Sequence, residues 1–281
     1  MNGRYLRHGE AAVHVEDRGL QLGDSIYEVC RVEAGGLLDE AGHLDRLERS
    51  LAALELPMPM AREPLRLVMR ELIRRNRIRD GIVYLQITRG PFRRDHPMPE
   101  AAAKPTLILT ARAYDRAAAM ARMASGVKII TRPDERWARR DIKTTQLLPA
   151  VLAKTAAKRA GANEAWLVDD DGFVTEGGST NAWIVDAKGT LVTRPLSRDI
   201  LPGVTRAVVL AAARDAQMTV EERKFTVAEA LAAREAFLTS ASGAAVPVVA
   251  IDGAAMGDGR PGPLTLRLQA LYAAKSGGGG D

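Results

Sequence analysis

The chain has 281 residues, 46% hydrophobic and 27% charged, with a formal charge of +5. That length buries a core in one large domain or two modest ones, no apolar run reaches the ~18–20 residues that span a bilayer, and the single cysteine, Cys30, excludes an internal disulfide framework and fits a reducing compartment, so cytoplasm is expected. A nucleic-acid binder is not expected, because Glu63, Glu71 and Asp80 intersperse the arginines of residues 61–80 and no aromatic-rich basic stripe accompanies them; the basic excess suits small anions such as phosphates and carboxylates.

In chain order, residues 4–8 and 12–15 alternate like short strands. Residues 26–32, the turn Glu33-Ala34-Gly35-Gly36 and the return Leu37-Leu38 predict a hairpin. Leu44, Leu47, Leu51 and Leu54 form one apolar stripe of a helix over 42–54, and Leu65, Val68, Met69, Leu72 and Ile73 another over 62–77. Strands over 82–89 and 106–112 flank a loop, 90–104, rich in proline and charge. The alanine-rich stretch 111–123 reads as a linker helix. Beyond it come a strand at 127–131, a helix at 147–160, a strand cluster over 164–193 and a helix at 204–215. Strands and a short helix alternate to Ile251, a helix over 264–274 closes the fold, and a glycine-rich tail follows. The pattern is α+β, with domains expected at 1–116 and 122–275 and a disordered tail at 276–281.

Several residues bear chemistry. Lysine is scarce, eight among forty basic residues, and Lys143 follows Arg139-Arg140-Asp141-Ile142. It is either a solvated charge in a basic loop or an amine whose pKa is lowered by desolvation and neighbouring cations, free to form a Schiff base. In Thr175-Glu176-Gly177-Gly178-Ser179-Thr180-Asn181, an ordinary glycine turn competes with a carboxylate on a ring nitrogen and with Ser179 or Thr180 approaching an anion. Leu201-Pro202-Gly203-Val204-Thr205-Arg206 opens a helix, where capping alone or phosphate binding is served. Arg46 lies off the leucine stripe, as a solvent-facing charge or a phosphate clamp. Arg94 and His96 are two apart, so on an extended loop they point the same way and can grip a carboxylate; a solvated basic loop is the alternative. The histidines show no metal-ligand spacing, and no metal is expected.

Taken in order, Asp17-Arg18-Gly19, Gly23-Asp24-Ser25-Ile26-Tyr27-Glu28, His43-Leu44-Asp45-Arg46-Leu47, Thr88-Arg89-Gly90, Arg94-Asp95-His96, Arg136-Trp137, Asp141-Ile142-Lys143, Thr175-Glu176-Gly177, Gly203-Val204-Thr205-Arg206 and Leu238-Thr239-Ser240 resemble the fold-type IV pyridoxal-phosphate enzymes, and within them the D-amino-acid (D-alanine) aminotransferases. The resemblance implies a small N-terminal α/β domain, a larger C-terminal pseudo-barrel domain, and pyridoxal 5′-phosphate as cofactor. It implies Lys143 as the Schiff-base lysine that also shuttles the proton, and Glu176 as partner of the pyridine nitrogen. Arg46, Val204 and Thr205 would form the phosphate cup, with Ser179, Thr180, Ser240 and Ala241 nearby and Arg136 in support. Tyr27, Arg94 and His96 would trap the substrate carboxylate, the last two reaching in from the partner of a homodimer. The implied reaction is transamination between a D-amino acid and a 2-oxo acid. Branched-chain L-aminotransferases, (R)-amine transaminases and aminodeoxychorismate lyases share the fold as alternatives. Two departures stand out: Gly178 where a serine is common, and Ala241 where a hydroxyl would help hold phosphate.

Overall fold

A computed structural model describes residues 1–102 and 104–276. Two compact units emerge. The first comprises Met1–Asp115 together with Ile142–Gln146, and the second Arg116–Asp141 with the chain from Leu147 onward.

The first unit contains α1 (Arg18–Leu22), β1 (Ser25–Glu33), β2 (Gly36–Leu37), α2 (Glu40–Ala53), α3 (Arg62–Arg75), β3 (Gly81–Thr88) and β4 (Thr106–Ala113). Its antiparallel sheet runs β2-β1-β3-β4. Period-two alternation buries Ile26, Glu28, Cys30 and Val32 on one face of β1, and α2 packs there through Leu44, Leu47 and Leu51. The leucine stripe of α2 and the Leu65, Met69 and Ile73 stripe of α3 therefore share one core. Residues 4–8 and 12–15 form no strand. Apart from a 3-10 turn at His8–Glu10 they are mostly exposed and pair with no strand, and Asn2 bonds to β4, its N–H donating to the Leu107 carbonyl.

The second unit contains α4 (Arg116–Ser125), β5 (Val127–Pro133), α5 (Leu148–Arg159), β6 (Glu164–Val168), β7 (Val174–Gly177), β8 (Asn181–Val185), β9 (Leu191–Thr193), α6 (Val204–Asp215), β10 (Val220–Glu222), α7 (Val227–Ala232), β11 (Glu235–Ser240), β12 (Gly243–Ile251), β13 (Ala254–Ala255) and α8 (Pro263–Ser276). The expected linker helix begins later than its alanines suggested. Val83 pairs with Ala111 and Gly81 with Ala113, so sheet pairing overrides alanine's helix propensity. Ser276 ends α8, and the remainder of the expected disordered tail lies outside the described residues.

The large sheet runs β10-β9-β8-β11-β12-β5-β6-β7, with β13 on β12. Laid flat, β7 and β8 would stand five strand spacings apart, roughly 24 Å. The turn from Gly177 to Asn181 reaches at most about 15 Å, so the sheet must curl, in line with the barrel-like second half. Its interior holds Trp166, Val174, Ile184, Phe225 and Leu238, while α6 and α8 cover Trp183, Phe237 and Leu191 on the other side.

Candidate active site

Lys143 sits in the short segment Ile142–Gln146, which extends the N-terminal end of β1 on the side away from β3. The Tyr27 N–H donates to the Lys143 carbonyl (3.0 Å) and the Thr145 N–H to the Ser25 carbonyl (3.2 Å). The Ser25 and Thr145 hydroxyls are also hydrogen-bonded. This pairing fixes the lysine backbone against Tyr27. The Lys143 Nζ stands 4.2 Å from the centroid of the Tyr27 ring, which in turn stacks on Tyr84 at 5.7 Å. Burial pushes the Tyr84 phenol up to about 12, so that ring is neutral. Among the described residues no carboxylate pairs with the half-buried Lys143 amine. The sequence placed this segment with the second domain; by its contacts it belongs to the first unit.

Arg46 is not solvent-facing. It is 4% exposed and lies on the sheet side of α2, with Nε and Nη2 donating to the two oxygens of Glu28 at 2.8 Å each. His43 Nδ1, one turn earlier, is 2.8 Å from the same carboxylate. Against the upward push of burial, Arg46 and His43 hold the Glu28 carboxyl down at about 2. Glu28 was not among the sequence candidates. The signal was there: a charge in the buried row Ile26, Cys30, Val32 demands a partner.

Arg94 and His96 are both exposed, on the loop after Gly90. That glycine has a φ of +89°, and a Cβ would lie 2.1 Å from the Lys104 carbonyl oxygen, so the chain needs glycine there. Tyr27 belongs to the same unit.

In the second unit, Glu176 is the penultimate residue of β7 and is buried. Its carboxylate accepts from Arg136 Nη1, from Asn181 Nδ2 at 2.9 Å and from the Leu201 N–H at 3.1 and 3.2 Å. Burial raises this carboxyl, and Arg136 and the Leu201 N–H offset only part of the rise. With all its neighbours donors, the anion is the form that satisfies every bond. Arg136 is itself held by Asp134, Nε at 2.8 Å and Nη2 at 2.8 Å, and Asp134 also accepts from the Thr175 hydroxyl at 2.7 Å. Asp134 and Asn181 had no distinguishing sequence signal.

Val204 and Thr205 are buried in the first turn of α6, whose leading N–H groups have no acceptor within the helix. Gly203 lets Asn181 approach: a Cβ there would lie 2.0 Å from Asn181 Oδ1. The Thr180 hydroxyl is buried without a partner among the described residues. The Ser179 hydroxyl instead donates to Glu164 (2.9 Å) and accepts from Lys154 (2.9 Å). Ser240 and Ser242 are 3.1 Å apart through their hydroxyls, flanking half-buried Ala241.

The family described as "Amino-transferase class IV" matches residues 25–251. The chain belongs to the class IV aminotransferases. This aminotransferase is 39% identical over 268 residues to the D-alanine aminotransferase of Bacillus licheniformis, covering 95% of this chain and 93% of that one. It is 38% identical to the enzyme of the same name from Staphylococcus haemolyticus, covering 96% and 94%. Among solved structures, the branched-chain amino acid aminotransferase from Escherichia coli aligns at a TM-score of 0.87 and 26% identity, covering 100% of this chain and 94% of that one. A hypothetical aminotransferase from Mycobacterium tuberculosis in its PLP-bound form shares the fold at a TM-score of 0.84 and 23% identity, over 98% and 96% of the two chains.

A class IV aminotransferase works with pyridoxal 5′-phosphate, and the residues present fit that group. An amine with no carboxylate partner among the described residues is available at Lys143. A buried carboxylate faces only donors at Glu176, and a twelve-residue helix presents its N-terminus with buried Thr205.

Proposed function

We propose that this aminotransferase moves the amino group between a D-amino acid of the D-alanine type and a 2-oxo acid such as 2-oxoglutarate or pyruvate. The observation that carries the reading is the stand of Lys143 Nζ over the Tyr27 ring. It sets the tyrosine of the carboxylate trap against the base that takes the Cα proton, and the side on which the carboxylate is held decides which Cα–H bond the base meets. The D-alanine aminotransferase relatives, 36–39% identical over almost the whole chain, support the same choice.

Pyridoxal phosphate, when bound, absorbs the electrons freed at the substrate Cα. Lys143 supplies the amine that holds the cofactor covalently and the general base for the Cα proton. Glu176, kept anionic by Arg136, Asn181 and Leu201, keeps a proton on the pyridine nitrogen. Arg46, the Val204 and Thr205 N–H groups and the Thr205 hydroxyl hold the phosphate. Thr180, with its unpartnered hydroxyl, Ser240 and Ala241 lie beside the cofactor; Ser179 reaches it only by releasing Glu164 and Lys154. Tyr27, Arg94 and His96 orient the carboxylate so that the Cα–H bond faces Lys143. The exposure of Arg94 and His96 supports their service to the partner subunit of a homodimer. No helix among the described residues is long and apolar enough to cross a membrane, and we place the enzyme in the cytoplasm with no nucleic-acid partner. The two domains are the compact units described above, with Ile142–Gln146, and so Lys143, in the first.

The test is a visible spectrum of the holoenzyme before and after D-alanine, L-leucine or L-glutamate. D-alanine alone should bleach the cofactor band. Bleaching by an L-amino acid alone ends the D-substrate reading in favour of the branched-chain alternative, and a protein that cannot be loaded with pyridoxal phosphate is no enzyme.

A further inference from the structure

Arg18 carries a buried charge that none of the roles above uses. Its side chain is 5% exposed, and its Nε donates to Asp24 Oδ2 at 2.8 Å. The other nitrogens reach a different element: Nη1 donates to the Asp95 carbonyl at 2.7 Å and Nη2 to the His96 carbonyl at 3.3 Å. Asp24 is shared with Arg89, whose Nε and Nη2 donate to it at 2.7 and 3.1 Å. Against the upward push of burial, the two guanidinium groups hold the Asp24 carboxyl below its ordinary range. Arg89 is itself anchored on the carbonyls of Leu54 (2.7 Å) and Glu55 (3.2 Å) at the end of α2.

Burying a guanidinium is expensive unless its donors are satisfied, and here they converge on the loop of Arg94 and His96. The two carbonyls gripped are those on either side of the His96 Cα. Fixing both peptide planes fixes the φ and ψ of His96, and with them the direction in which its side chain leaves the backbone. The loop's entry is held as well, by the Arg18 N–H on the Gly90 carbonyl (3.0 Å) and the Phe92 N–H on the Glu16 carbonyl (3.2 Å). Asp24, the other end of the grip, lies three residues before Tyr27 on the approach to β1.

We infer that Arg18 is a positioning residue for substrate recognition: by clamping the Asp95 and His96 carbonyls to Asp24, it sets the geometry of the loop that binds the substrate carboxylate. This rests on the reading of Arg94 and His96 as the carboxylate trap. Without the clamp the trap residues remain but sample many directions, which weakens substrate binding while leaving the proton-transfer machinery at Lys143 intact.

The experiment compares the wild-type holoenzyme with Arg18→Lys, Arg18→Met, Arg94→Ala and the Arg18→Lys/Arg94→Ala double variant, in D-alanine kinetics and cofactor titration. Lysine keeps a cation for Asp24 and loses the fork. Arg18→Lys should raise KM for D-alanine about ten- to hundredfold, the scale of a lost charge-assisted hydrogen bond, with kcat and pyridoxal-phosphate affinity within about threefold of wild type. Added to Arg94→Ala, it should change KM by less than about twofold, since both act through one trap. Amide exchange at residues 93–98 should accelerate in Arg18→Lys, whether or not Arg18→Met folds. An unchanged KM with unchanged exchange overturns the inference, as does a parallel loss of kcat, KM and cofactor affinity, or full additivity with Arg94→Ala. If Arg94→Ala raises KM and Arg18→Lys does not, the trap stands and the clamp falls; if Arg94→Ala leaves KM unchanged, both fall.

Discussion

Arg46 lays its guanidinium flat against Glu28, with two parallel hydrogen bonds of 2.8 Å across the β1–α2 contact. The pair is held inside the core, both side chains 5% exposed or less. A two-point fork of this kind fixes the guanidinium plane.

Removing the anion leaves a buried cation without its partner. Glu28→Gln should therefore destabilise the protein by about 3–5 kcal/mol, read from the denaturant midpoint, and weaken the cofactor along with it. The pH dependence has a definite sign. A carboxyl held at about 2 in the folded state, below its ordinary 4.5, contributes stability that is complete above about pH 4.5. That contribution, on the order of 3 kcal/mol, is lost as the pH falls from 4.5 toward 2. An acid unfolding curve of the wild type should carry this loss and that of Glu28→Gln should not; two superimposable curves would remove Glu28 from the account.

Lys143→Ala should abolish turnover by about 10⁴-fold or more, the upper range for a lost acid–base group. Borohydride reduction of the holoenzyme should attach the cofactor to the peptide containing Lys143 and leave the variant unlabelled. Label on any of the other seven lysines would assign the chemistry elsewhere.

Much of this was legible in the sequence because periodicity reports burial directly. The helices at α2, α3 and α6 and the strands β1, β3 and β4 lie where alternation or the 3.6-residue stripe put them. The residues misread were those whose structure depends on a distant partner. Residues 4–8 and 12–15 alternate like strands but find no strand to pair with, and Ala111 and Ala113 favour helix until Val83 and Gly81 recruit them. The site divides the same way. Lys143, Glu176 and Arg46 carry motifs, whereas the roles of Asn181, Asp134 and Asp24 become visible only through the side chains they hold. Spacing cannot announce a contact between residues 65 positions apart, such as Arg89 and Asp24.

Glu176→Gln offers a nearly isosteric test of charge. The amide oxygen can still accept from the Leu201 N–H, but the amide nitrogen must face Arg136 or Asn181, donor against donor. On the proposed reading, the anion that would keep a proton on the pyridine nitrogen is gone as well. The rate of the half-reaction with D-alanine should fall about 10²–10³-fold, comparable to the loss of one preorganised electrostatic partner, while Asp134 continues to hold Arg136 and the fold melts within a few degrees of wild type. A half-reaction as fast as wild type would show that the carboxylate does not govern the ring.

Ala241 turns the chain from β11 to β12, where the resemblance to D-alanine aminotransferases leads one to expect a hydroxyl. Its neighbours Ser240 and Ser242 spend their hydroxyls on one another at 3.1 Å, so each can swing to an anion only by releasing its companion. A serine at the half-buried position 241 supplies the missing donor without that exchange. Ala241→Ser should therefore tighten pyridoxal-phosphate binding by about 1–3 kcal/mol, the worth of a hydrogen bond to a charged acceptor, with kcat for D-alanine unchanged. Equilibrium dialysis of cofactor against both proteins reads this directly. If affinity rises only when Ser240 is also replaced by Ala, the existing serine pair already fills the role; if it never rises, the turn does not touch the phosphate.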